Sequence, residues 1–353
     1  MLYHYPHMQS KYVSRSKCIL VGAGSIGLAH LEDSITRFSE IHVVDTNSQV
    51  LKNLNLSHEN RLHPKILTFS SVLDKNLSST YDLAVIANWG PGHFEVFKVL
   101  SEKEVGVFII EKPLSDSLLE LEQFSAIYNA KSSKIFVNFA LEFSPLLSII
   151  SSTENLLGSL RLINVSGGAK CIATNGIHWL SFTSRLFGSQ PISTLSNLIS
   201  HSINPRDNKF LFLEGSASWQ YDHGRSLSIN FSNFSHLALR VDFIFENGHA
   251  SLENGEFLAR KISKDMNYLP FTRTFKPDLV VSYFENFYGN STNSMLTGLY
   301  DTVLANAEDN FEHSKAVNSA LIATLISSEE SRTVRLPLDI SNSPHFKRKW
   351  YIS

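Results

Sequence analysis

The sequence predicts an α/β chain in two parts: an N-terminal doubly wound parallel sheet, then a C-terminal α+β domain with a large, mostly antiparallel sheet. Three observations point there. Short, nearly continuous apolar runs alternate with helical patterns up to about residue 140, as strands buried on both faces of a parallel sheet require. A glycine-rich turn joins the first of these runs to the first helix. Beyond residue 140 the rhythm changes to alternation of apolar and polar residues, the pattern of half-buried antiparallel strands. At 353 residues the chain is long enough for two cores. The expected boundaries are a tail over 1–16, a parallel-sheet domain over 17–140 and a second domain over 141–353.

Each element has its own signal. Cys18 to Val21 is a short apolar run ending at Gly22, and Ser25 to Phe38 reads as the helix after it. Ile41 to Asp45, Lys65 to Phe69 and Asp82 to Ala87 read as further strands. His93 to Glu102 is helical in pattern, Val105 to Ile110 a strand, Ser115 to Asn129 a helix opened by a serine with acids behind it, and Lys134 to Phe139 a strand. In the second half, alternation over Leu237 to Phe245 places Leu237, Leu239, Val241, Phe243 and Phe245 on one face. Asn247-Gly248 and Asn254-Gly255 suit type I′ hairpin turns. Two helices are expected near Ser294 to Ala307 and His313 to Ser328, packed on the second sheet or on the first domain.

Composition removes several function classes. The formal net charge is -2 and no Lys/Arg run is dense enough to track phosphates, so no nucleic-acid partner is expected. No apolar run approaches the roughly 20 residues that span a bilayer, and Met1 to Lys17 lacks a hydrophobic signal core, so a soluble, cytoplasmic protein without membrane contact is expected. Cys18 and Cys171 read as buried thiols rather than a bridge. The fourteen histidines form no cluster at metal-ligand spacing apart from His4 and His7, so no metal site is expected.

Gly22-Ala23-Gly24-Ser25-Ile26-Gly27 fits G-x-G-x-x-G between a strand and a helix. The first glycine makes the turn, the second lets backbone approach a pyrophosphate, and the third lets helix and strand pack closely. Asp45 closes the next strand 18 residues after Gly27, where a carboxylate accepts hydrogen bonds from ribose hydroxyls and repels a 2′-phosphate. Together they indicate a Rossmann domain binding NAD in preference to NADP.

Glu111-Lys112-Pro113 follows the strand ending at Ile110, at the carboxyl edge of the sheet where open α/β folds bind ligands. The tripeptide reads either as a solvated charge pair before a helix or as a lysine set beside a nicotinamide to stabilise charge on a reacting oxygen. His178 has Thr174, Asn175 and Ser181 at helical spacing on its face. It reads either as a hydrogen-bonded core histidine or as a catalytic group.

In their order and spacing these motifs resemble the glucose-fructose oxidoreductase / inositol dehydrogenase (Gfo/Idh/MocA) family over nearly the whole chain. The resemblance rests on Gly24-Ser25-Ile26-Gly27-Leu28-Ala29-His30, the loop from Ala87 to His93, Glu111-Lys112-Pro113, Gly176-x-His178 and the ending Glu312-His313-Ser314-Lys315-Ala316 before Thr333-Val334-Arg335-Leu336. It implies a substrate and oligomerisation role for the second domain, and a cis Lys112-Pro113 bond. It implies that Lys112 and His178 are the catalytic pair, His178 as general base and Lys112 polarising the oxygen while a hydride passes to nicotinamide. It further implies cofactor contacts from Gly22, Gly24, Ser25, Ile26, Gly27, Asp45, Asn88, Trp89, His93, Glu111 and Lys112, and substrate contacts from Lys112, Thr174, Asn175 and His178.

The chain departs from that pattern at three places. Thr174 and Ser181 stand where many members carry acids four before and three after the histidine, and Glu142 stands at an arginine position. An imidazolium without an acid partner is less stabilised, which makes His178 a weaker base. The expected activity is oxidation or reduction at a secondary alcohol or ketone of a sugar, cyclitol or nucleotide-sugar. The alternative is an NAD-binding regulatory protein of the same fold. A homodimer or homotetramer is expected, formed through the open face of the second sheet.

Overall fold

The computed structural model describes residues 16–58, 65–201, 210–262, 277–284 and 291–352, so His4 and His7 lie outside the described residues. Six strands form the first sheet: β1 (Lys17–Val21), β2 (Glu40–Val44), β3 (Lys65–Phe69), β4 (Thr80–Ile86), β5 (Glu104–Ile110) and β6 (Lys134–Val137). All pair in parallel, in the order β3-β2-β1-β4-β5-β6. The order reverses between β1 and β4, which opens a crevice at their carboxyl ends. Four helices connect them: α1 (Ser25–Ile35), α2 (Ser48–His58), α3 (His93–Ser101) and α4 (Leu118–Ala130). The strands are buried on both faces, as continuous apolar runs require: Cys18, Ile19 and Leu20 are all at 0% exposure.

The second half runs α5 (Leu146–Leu157), β7 (Leu160–Gly168), α6 (Ile177–Phe187), β8 (Ser193–His201), β9 (Phe212–Gln220), β10 (Ser226–Ser232), β11 (Arg240–Phe245), β12 (Gly248–Glu253), β13 (Glu256–Ile262) and β14 (Pro277–Phe284). It continues with α7 (Ser291–Leu304), α8 (Phe311–Glu330) and β15 (Val334–Arg335). Nine strands make one sheet in the order β14-β13-β12-β11-β7-β10-β9-β8-β15, antiparallel except for β7 with β10. One face buries Ile163, Val165, Trp219, Ile229 and Phe243, with α6 against β7 and α8 against β8. The other presents Asn164, Ser216 and Asn230 together with Leu195 and Ile199.

Helix α7 returns to the first sheet. Leu296, Leu299, Tyr300 and Val303 join Cys18, Leu20, Ile41 and Leu83 in one apolar cluster, and α7 packs along α1. Both cysteines are buried free thiols. No described helix is long and apolar enough to cross a membrane.

Three expectations about elements need correction. The helix read from Ser115 begins at Leu118, because the Ser115 backbone N–H and carbonyl are both bonded to the Asn318 amide of α8 and are not available to a helix. The strand read from Leu237 begins at Arg240. Leu237 instead crosses the end of β7, accepting the Gly168 N–H at 2.9 Å, which leaves its side chain half exposed. The first hairpin loop is Glu246-Asn247, with Gly248 already paired to Phe245. The Asn254-Gly255 turn is as expected: both residues have positive φ, 52° and 83°, as a type I′ turn demands.

Candidate functional site

The glycine turn between β1 and α1 forms a cradle. Gly22 has φ +92°, and a Cβ there would lie 2.5 Å from the Asn88 nitrogen. A Cβ on Gly27 would lie 1.9 Å from the Gly22 oxygen, so the third glycine is what lets α1 sit against the turn. A Cβ on Gly24 would meet nothing within 4 Å. Gly24 and Ser25 are exposed, Ile26 is half-buried, and no side chain caps the helix. First-turn N–H groups are therefore open toward an anion. Asp45, at the end of β2, accepts the Ala23 N–H at 2.7 Å and the Asn47 N–H at 2.8 Å. Each carboxylate oxygen takes one of these bonds and keeps a lone pair for a further donor.

At the next strand ends, Asn88 and Trp89 follow β4. The Asn88 Oδ1 is buried with no partner among the described residues, an orphaned acceptor beside the cradle that a ligand donor would satisfy. Trp89 is 47% exposed, and its ring meets Phe210 of the second domain edge-on, 5.0 Å between centroids. His93 stands behind the crevice. It is buried, with its ring nitrogens each 2.9 Å from a backbone carbonyl oxygen, of Pro113 and of Asn88, and burial lowers its pKa. We therefore assign it to holding these two loops rather than to touching a cofactor.

Glu111 is also a support. Its carboxylate is 6% exposed and accepts hydrogen bonds from His30 Nε2 at 3.0 Å and Asn138 Nδ2 at 2.6 Å. The His30 Nδ1 lies 3.2 Å from the Tyr300 hydroxyl of α7. Burial alone would raise the Glu111 pKa, but the His30 hydrogen bond and charge, the Lys112 charge and Asn138 together bring it down to about 2. Sequence reasoning missed His30, Asn138 and Tyr300 as functional partners. The signal available was His30 within the fingerprint segment and Asn138 directly after β6.

Lys112 projects from the end of β5 across to the second domain, where its Nζ donates to the Thr174 carbonyl oxygen at 2.9 Å. The Lys112-Pro113 bond is cis, as the resemblance implies. Residues Ile172–Gly176 form a single π-turn leading into α6, a local irregularity common at functional sites. Asn175 serves that turn: its Oδ1 accepts the Cys171 N–H at 3.0 Å. Thr174 is buried and meets Lys112 through its main chain. His178 begins α6, half-buried, its ring edge-on to Phe139 at 6.5 Å. Burial pushes its pKa down to about 3; the Lys112 charge adds to this and Glu111 opposes it. The ring is neutral at physiological pH.

The departures at Glu142 and Ser181 fall in one cluster. Glu142 accepts from His313 Nε2 at 2.9 Å, from Arg185 Nε at 3.0 Å and from the Ser181 hydroxyl. Burial raises its pKa, but His313 and Arg185 outweigh that and leave it lowered. The carboxylate ties α6 to α8 behind Phe139, whose ring also meets His313 at 6.2 Å. Among the described residues no group of three or more His, Cys, Asp or Glu could hold a metal ion.

Two outcomes follow from this geometry. Gly27→Ala is expected to destabilise the fold by roughly 1–3 kcal/mol through overpacking. Gly24→Ala should leave denaturant unfolding nearly unchanged while weakening NAD binding in calorimetry. Equal stability losses in both variants would count against the cradle. Glu111, with a folded pKa of about 2 against an ordinary 4.5, contributes stability that is complete above about pH 4.5 and is lost as pH falls toward 2. The stability gap between wild type and Glu111→Gln, on the order of 3 kcal/mol near neutrality, should close over that window in urea titrations. A gap independent of pH would show that Glu111 is not held ionised.

Residues 16–139 match the model of the oxidoreductase family with an NAD-binding Rossmann fold, GFO_IDH_MocA. Over 165 residues, 46% of this chain, the sequence is 30% identical to an E1-like ubiquitin-activating enzyme of Saccharomyces cerevisiae, and the match spans 23% of that enzyme's length. An oxidoreductase from Agrobacterium radiobacter, solved with NAD+, L-tartaric acid and magnesium, superposes with a TM-score of 0.68 at 14% identity, covering 91% of this chain and 98% of that one. The transcriptional regulator Gal80p of Kluyveromyces lactis superposes with a TM-score of 0.70 at 13% identity, covering 91% and 94%. Residues 16–139 are thus similar to the NAD-binding Rossmann part of the Gfo/Idh/MocA oxidoreductase family, and the chain as a whole shares the two-domain fold of these solved structures.

Proposed function

We propose that this protein is an NAD-dependent oxidoreductase that moves a hydride between nicotinamide and a secondary alcohol or ketone of a sugar, cyclitol or nucleotide-sugar. The observation that carries the reading is Lys112: a lysine at the carboxyl end of β5, bridged to the Thr174 carbonyl of the second domain, on the turn that leads to His178. The residues present fit a dinucleotide, with Gly24 leaving room for the pyrophosphate, Asp45 placed for the ribose and Asn88 Oδ1 awaiting a donor. Bound there, the nicotinamide would supply or accept the hydride. Lys112 stabilises negative charge on the reacting oxygen, and His178 orients that oxygen. The sugar class comes from the family resemblance rather than from pocket chemistry.

A second reading, an NAD-binding regulator, is favoured by Thr174 in place of an acid and by the buried His178 Nδ1, which has no hydrogen-bond partner among the described residues. The fold similarity to Gal80p is consistent with it. Cofactor reduction or oxidation followed at 340 nm against a panel of sugars and ketoses separates the two. Turnover should fall about a hundredfold or more in Lys112→Ala with NAD affinity retained, and NAD should bind more tightly than NADP, a preference that Asp45→Ser narrows. Turnover unaffected by Lys112→Ala would remove the catalytic assignment. No turnover with tight NAD binding would favour the regulator.

We also propose association through the open face of the second sheet, where Leu195 and Ile199 are exposed at 49% and 58%. Sedimentation should give a dimer or tetramer, and a monomer at micromolar concentration would reject it.

A further inference from the structure

The His178 Nδ1 is buried and has no hydrogen-bond partner among the described residues. The residue as a whole is half-buried, and Nε2, unlike Nδ1, is not among the buried unpartnered atoms, which makes Nε2 the open nitrogen. A neutral imidazole whose Nε2 is to act as a base must carry its proton on Nδ1, and here that N–H would be buried without an acceptor. Such orphaned donors are rarer than orphaned acceptors because they are costlier. The neighbouring acids offer no remedy. Glu111 is engaged by His30 and Asn138, and Glu142 by His313, Arg185 and Ser181. One helical turn before His178 stands Thr174, buried and without a carboxylate. The favoured tautomer therefore keeps its proton on Nε2, which makes the open nitrogen a donor.

Building on the hydride-transfer reading, we propose that His178 is not the base of this site, and that Lys112 Nζ and His178 Nε2–H are two donors to one carbonyl oxygen, an arrangement that works as a carbonyl reductase at neutral pH. With reduced nicotinamide bound, its hydride would pass to the carbonyl carbon and the C=O π pair to oxygen. That oxygen takes a proton from the Lys112 ammonium, which solvent later replaces. His178 keeps its proton and holds the oxygen. The reverse reaction must return that proton to Lys112 and therefore runs from the amine form of its side chain. The charged groups acting on His178 are Lys112 and Glu111.

Imidazole nitrogen NMR of the full chain labelled in histidine, with His178 assigned from a His178→Gln spectrum, reads the tautomer without any turnover. The expected result at pH 7, with and without NAD, is a neutral ring protonated on Nε2. Thr174→Asp should move the proton to Nδ1 or charge the ring. In kinetics, ketone reduction should stay within about twofold between pH 6 and 8, and alcohol oxidation should rise about tenfold per pH unit over that range. A wild-type ring protonated on Nδ1, or oxidation that levels off above neutrality through a limb absent from His178→Gln, overturns the donor assignment alone. Absence of turnover in both directions overturns the hydride-transfer reading and this proposal with it.

Discussion

The buried carboxylate of Glu111 sets the terms for the rest of the site. An ionised group at 6% exposure survives only if its charge is met on several sides, and here the partners come from α1 through His30, from β6 through Asn138, and from Lys112 beside it. Each partner is consequently fixed. His30 is further fixed by Tyr300, which places α7 against α1. A charge that cannot move therefore holds together the carboxyl ends of two strands and two helices that are far apart in sequence.

Lys112 gains its direction from the same economy of unsatisfied groups. The loop that carries it is clamped by Asn318 on Ser115 and by His93 near the Pro113 carbonyl. The segment 346–352 adds a third hold: Leu119 donates to the Phe346 carbonyl, and Trp350 and Tyr351 donate to the main chain and carboxylate of Asp116. The same segment reaches the second domain through Leu211, which donates to the Tyr351 carbonyl. A long, flexible lysine is useful in an interdomain crevice only if its base does not wander. These contacts supply that constraint from both domains.

Much of this was legible in the sequence, and the failures have physical causes. The parallel sheet was readable because strands buried on both faces must be continuously apolar, as in Cys18 to Val21 and Val105 to Ile110. The glycine fingerprint was readable because Gly22 and Gly27 answer steric demands that no other residue meets. Helix α4 was misplaced by three residues because the competing partner, Asn318, lies 203 positions away. The Glu111–His30–Tyr300 chain was hidden for the same reason, since Tyr300 lies 270 positions from His30. Local pattern reports periodicity and turn chemistry; it does not report which distant side chain satisfies a buried polar group.

The departures at Thr174, Ser181 and Glu142 look unrelated along the chain and become related in space. With no acid on either helical neighbour of His178, the carboxylate that meets α6 is Glu142, and its charge is taken up by Arg185 and His313. Among the described residues, the charges that act on His178 are the Lys112 ammonium and, opposing it, the Glu111 carboxylate. A preorganised field of that sign favours negative charge developing on oxygen and disfavours the imidazolium that a histidine base would form. On the function proposed above, the absence of an acid near His178 changes which protonated group meets the oxygen rather than removing the means to meet it.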